Sequence, residues 1–175
     1  MRAIGFRASA TGISYAIVEH DGDGFSVVNA DKVLVPRALH RPNQLHFLRT
    51  VMLDIMQEYQ VERAGLRIAE MAPSHNNKTE FRTNVEGVLQ ELLASSHVTK
   101  YFAGRKDRMA SLLKLTDRKE ITEIIDGNRS PAFVADWTTH SSDHREAILA
   151  GCAALSMSLD DPLTSDLVGV GDHTS

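Results

Sequence analysis

Arg2-Ala-Ile-Gly-Phe-Arg-Ala-Ser-Ala-Thr-Gly-Ile-Ser-Tyr-Ala-Ile-Val-Glu19 is the stretch on which the fold turns. Residues 3–8 and 12–19 have the alternating, β-branched look of two strands around the turn Ala8-Ser-Ala-Thr-Gly12. Asp21-Gly-Asp-Gly24 is a hairpin signal. It leads into a third strand over about 25–35, through Phe25, Val27, Val28, Val33 and Val35. Three strands in succession make an antiparallel meander. In the first of them, Arg7 is the one charged residue.

Outward from the meander, Pro36 and Pro42 break the chain. Leu45, Leu48, Met52, Ile55 and Tyr59 recur at helical spacing and predict a helix over 43–60. Residues 64–70 read as a short strand. A second helix is predicted over 77–95, with Phe81, Val85, Val88, Leu89 and Leu92 as its stripe, and a brief strand over 98–102. Two shorter helices, 104–115 and 117–126, end at Gly127 in a C-cap position. Residues 128–141 form an irregular connection around Pro131 and Trp137, and a last helix covers 143–158. A meander followed by strand–helix crossovers implies an α/β fold with a mixed five-stranded sheet, three strands antiparallel and two parallel, and helices on both faces. We expect one domain over 1–158 and an acidic, polar tail over 159–175.

The 175 residues suffice for one sizeable core. The lone Cys152 cannot form an internal disulfide; it reads as a buried thiol and fits a reducing, cytoplasmic setting. No signal peptide and no membrane span is expected. Net charge is −4, which argues against a non-specific electrostatic binder, but the charge is segregated. Bases gather between Lys100 and Glu120, and Arg105, Lys106, Arg108 and Lys114 are the candidate nucleic-acid contacts; a solvated helix face is the plainer reading. The low aromatic content, 6%, does not favour a base-stacking platform.

Gly5-Phe-Arg-Ala-Ser-Ala-Thr-Gly12, Arg67-Ile-Ala-Glu70 and Asp143-His-Arg-Glu146 together resemble the RuvC-type branch of the RNase H-like superfamily, including a small group of bacterial RuvC-like proteins. In that branch the first strand reads roughly Gly-hydrophobic-Asp-Pro-Gly, the fourth strand ends in a catalytic Glu, and the final helix carries two acids three apart. The resemblance implies that Glu70, Asp143 and Glu146 are catalytic or metal-binding acids, an acidic cluster that is either active or a remnant. It also implies that Arg7 stands where the first Asp belongs. Such acids hold two Mg²⁺ or Mn²⁺ ions about 4 Å apart for phosphodiester hydrolysis. Guanidinium cannot ligate a metal ion and repels one.

Plainer readings stand beside these. Glu70 can be a strand-end acid before the Met71-Ala-Pro73 turn. Asp143 with Glu146 also makes a capping box. Arg7 can point outward. His140 and His144 are read as surface or capping residues rather than metal ligands. If Arg7 points inward, its natural partners are Glu70 or the Asp143/Glu146 pair. The expected function is then a RuvC-like protein with a degraded metal site and no cofactor, serving as a nucleic-acid-binding or accessory subunit, with nucleic acid, a protein partner or a second copy as partners. The alternative is an active Mg²⁺- or Mn²⁺-dependent nuclease resembling Holliday-junction resolvases. An actin-like ATPase is disfavoured, because the second domain and second phosphate loop it requires are missing.

Overall fold

The computed structural model describes residues 1–22, 24–70, 76–158 and 160–161. The elements are β1 (Arg2–Ser9), β2 (Gly12–Asp21), β3 (Gly24–Leu34), α1 (Arg41–Glu58), β4 (Arg63–Arg67), α2 (Asn77–Ser95), β5 (Lys100–Gly104), α3 (Lys106–Leu112), α4 (Arg118–Asp126) and α5 (Ser142–Ser156), with a 3-10 turn at Trp137–Thr139. The sheet runs β3-β2-β1-β4-β5. The first three strands pair antiparallel, and β4 and β5 join parallel to β1. This is the mixed five-stranded architecture expected.

Strand alternation sorts two cores. Ile4, Phe6 and Ala8, with Tyr15, Ile17 and Leu66, pack under the apolar stripes of α1 and α2. Ala3, Ala16, Val18 and Phe102 face α5, beyond which lie α3, α4 and the buried Trp137. Trp137 anchors the irregular connection, its Nε1–H donating to the Ile124 carbonyl at 2.8 Å. Helix α5 is buried from Glu146 to Leu155, as a helix apolar all round its axis must be. It lies directly on strand backbone: a Cβ at Gly5 would overlap the Ala147 carbonyl, and one at Gly65 the Ala150 carbonyl. Burial pushes the Cys152 thiol up and keeps it protonated and inert.

Several boundaries move. β4 ends at Arg67 rather than at residue 70, because the backbone leaves the sheet there. Ile68 N–H still reaches the Gly104 carbonyl (2.8 Å), but Ala69 N–H turns to the Glu86 side chain (3.0 Å). β5 starts at Lys100 rather than 98, matched in length to its ladder partner β4. The helix expected over 104–115 is confined to Lys106–Leu112. Gly127 does cap α4, at φ +82°. The Met71–Pro73 turn and, apart from residues 160 and 161, the acidic tail lie outside the described residues. Among the described residues, no helix is long and apolar enough to cross a membrane.

Candidate functional site

Pairing register builds the site. Lys32 on β3 sits opposite Ser14 on β2, Ser14 opposite Arg7 on β1, and Arg7 opposite Arg67 on β4. Directly paired residues share a face, so one row across the sheet presents Lys32, Ser14, Arg7 and Arg67 toward α5. The first turns of α5 lie over this row and bring Asp143 and Glu146 down to it.

Glu146, only 8% exposed, is the hub. Its Oε2 lies 2.8 Å from Arg7 Nε and 3.1 Å from Arg67 Nε. These nitrogens are out of line for hydrogen bonds, so the triad is held by charge rather than by aligned donors. Arg7 Nη1 donates to the Ala8 carbonyl (3.0 Å) and lies 3.9 Å from Glu86 Oε1. Glu86, buried on α2, also accepts from Ala69 N–H and faces Arg82 Nε at 3.8 Å. Arg67 is 2% exposed. Burial pushes its guanidinium down, Glu146 opposes that, and neighbouring Arg7 adds to it. Arginine nonetheless stays charged in proteins.

The expected acids are placed separately. Glu70, three residues beyond β4, accepts from Arg67 Nη2 (3.2 Å) and pairs with Arg118 (3.1 Å). Asp143 pairs with Lys32 at 3.6 Å. Arg7 points inward, as the ion-pair hypothesis requires, but its acids are Glu146 and Glu86 rather than Glu70 or Asp143. The capping box is overturned: Ser141 caps α5, its Oγ accepting from His144 N–H at 3.3 Å, which frees Glu146 to turn to the sheet. His144 Nδ1 also meets Ser141 Oγ at 3.1 Å, a capping role. Among the described residues no three His, Cys, Asp or Glu are gathered to hold a metal ion. A Mg²⁺ or Mn²⁺ cage does not fit this donor set, because guanidiniums stand against Glu146 and Glu70 and the Lys32 ammonium against Asp143.

The structure adds Arg67, Glu86, Arg82 and Lys32 to the residues marked in the sequence. Arg67 was within reach of sequence reading, since it closes a strand parallel and next to the one that carries Arg7, and the pairing register sets the two side by side. Glu86 carried a weaker signal, an acid next to Val85 on the apolar stripe of α2. Among the marked bases, Lys106 Nζ reaches Thr122 (3.4 Å) and Arg108 lies 4.0 Å from Asp161, both half-buried, whereas Lys114 is exposed.

No family model and no curated protein matches the sequence. Solved structures do match. RuvC of Thermus thermophilus superposes with a TM-score of 0.66 at 12% identity, over 89% of this chain and 94% of that one. The same protein in complex with a Holliday junction substrate gives 0.64 at 11% identity, with the same coverage. The yeast mitochondrial Holliday junction resolvase Ydc2 gives 0.53 at 10% identity, over 88% of this chain and 77% of that one. The fold of this chain is RNase H-like, of the RuvC type. At such identities it is the fold that is shared.

Proposed function

We propose that this RuvC-fold chain binds nucleic acid without hydrolysing it, as a binding protein or an accessory subunit. One observation carries this: Arg7 and Arg67, register partners on β1 and β4, both converge on Glu146. Two-metal hydrolysis requires carboxylate oxygens open to cations at the end of these strands. Here the oxygens face arginine, and a metal ion entering between them would meet two fixed positive charges at close range. Removing one arginine would leave the other beside the same carboxylate. The RuvC-type fold, one of whose solved examples carries a Holliday junction, makes nucleic acid the ligand class that this reading favours.

The test is a cleavage assay on four-way junction, duplex DNA and RNA with Mg²⁺ or Mn²⁺, alongside binding to the same molecules. We expect binding without cleavage. Cleavage by the wild type that disappears in Glu70→Ala would overturn the proposal and restore the nuclease alternative.

A further inference from the structure

Positive charge available to an outside anion is scarce in this protein. Most Lys and Arg side chains are engaged internally: Arg49 holds Glu91, Arg63 takes the last carbonyls of α5, and Arg145 takes three carbonyls around Trp137. Among the described residues, four lack any side-chain hydrogen bond or ion pair: Arg37, Lys78, Arg105 and Lys114. Two of these four meet at one place. Arg37 and Lys78, both exposed, line adjoining grooves of about 270 and 230 Å³ that share Ala10 and Val35 as a common wall.

The groove is built as well as charged. Arg41 lines the groove beside Lys78, held by Glu80 at 3.2 Å and lying 5.2 Å from the centroid of the Phe81 ring. The buried Phe81, with Ala10 and Val35, forms an apolar floor. α1 and α2 both begin at this groove, so the positive ends of two helix dipoles add to the field of the side chains. A cationic rim above an apolar floor suits a phosphate whose attached sugar lies against the floor. Arg105 and Lys114, the remaining free bases, lie apart from each other at opposite ends of α3.

We propose that this groove, bounded by Arg37, Arg41 and Lys78, is a phosphate-binding site that seats the phosphodiester backbone of a nucleic-acid strand. This rests on the nucleic-acid reading above and locates it away from the 100–120 segment.

The experiment measures anisotropy of labelled single-stranded and duplex oligonucleotides against the full-length protein over a salt series, with ATP and inorganic phosphate titrated in a separate calorimetric arm. Arg37→Glu/Lys78→Glu should weaken oligonucleotide binding by about tenfold or more and flatten the logarithmic salt slope by about 1.4–1.8, since each phosphate contact contributes roughly 0.7–0.9. Arg37→Ala/Lys78→Ala should do the same in part, and Lys119→Glu, on an exposed helix face, should do nothing. If Arg105→Glu/Lys114→Glu abolishes binding while the groove variants bind like wild type, the groove proposal fails and the nucleic-acid reading survives. If ATP or phosphate binds in an Arg37- and Lys78-dependent way but no oligonucleotide does, the phosphate site stands and its nucleic-acid occupant, together with the function proposed above, falls. If the wild type binds neither, both proposals fail.

Discussion

Glu146 is a single carboxylate set against one buried guanidinium, Arg67, and one half-buried, Arg7, and that asymmetry sets what its loss would do. Glu146→Gln keeps the volume and removes the charge, leaving Arg7 and Arg67 adjacent, desolvated and facing each other. Breaking a buried ion pair on one side costs about 3–5 kcal/mol. We expect a destabilisation of that order in urea unfolding, and a loss below 1 kcal/mol would show that solvent or Glu86 shares the compensation. Replacing the whole triad by apolar residues of similar volume should cost less, since Glu86 keeps Arg82 and the Ala69 N–H and Glu70 keeps Arg118. His140 offers a pH test at the same scale. Burial is the main cause lowering its pKa, with His144 and Arg145 adding to it. The unfolded chain therefore binds the proton first, at an imidazole pKa of about 6.5. Stability is lost as pH falls from that value toward the depressed folded one. The urea midpoint should fall between neutral pH and pH about 5, and His140→Gln should reduce that fall relative to wild type.

On the face that meets α5, β4 reads Arg63, Gly65, Arg67: a cation, a gap and a cation. Arg63 Nη1 donates to the carbonyls of Ala154, Leu155 and Met157, at 3.2, 3.0 and 2.6 Å, closing the C-terminal end of α5. Arg67 meets Glu146 near its N-terminal end. Gly65 lets the helix backbone settle between them, as Gly5 does on β1. Gly5→Ala would force α5 away from the strand, because its new Cβ meets main chain rather than a movable side chain. Overpacking of this kind costs about 1–3 kcal/mol or more, and it should also loosen Glu146 from Arg7. Gly87, inside α2, has open space where a Cβ would go. Gly87→Ala should therefore stabilise by about 0.5–1 kcal/mol through helix propensity alone. Thermal unfolding of the two variants, with opposite signs expected, checks whether backbone approach or glycine content governs α5 packing.

Across the whole molecule, element order was legible because strand alternation and helical stripes are local signals; even the crossover to parallel β4 and β5 followed from their order. The site was half legible. That Arg7 opposes an acid cluster follows from charge and position, but which acid it takes depends on α5's rotation, and that is set by Ser141 capping and by Gly5 and Gly65, which act through packing. Glu86 stayed hidden because its role depends on a contact between α2 and β1, segments nearly eighty residues apart, whereas Arg67 needed only the β1–β4 register to be set beside Arg7. The same packing makes a prediction about the protein as a unit. A divalent ion that bound only the native state would raise stability by about 2.7 kcal/mol at a hundred times its dissociation constant. With guanidiniums against Glu146 and Glu70, no such linkage should exist, so the thermal midpoint should be the same in EDTA as in excess Mn²⁺. Arg7→Asp/Arg67→Ala exchanges the two central cations for one carboxylate and a gap, beside Glu146 and Glu70. That variant should be less stable in EDTA and recover part of the loss on adding Mn²⁺. A wild-type midpoint that climbs with Mn²⁺ would mean that the arginines yield to metal, and the cluster would then be a closed form of a working site rather than its replacement.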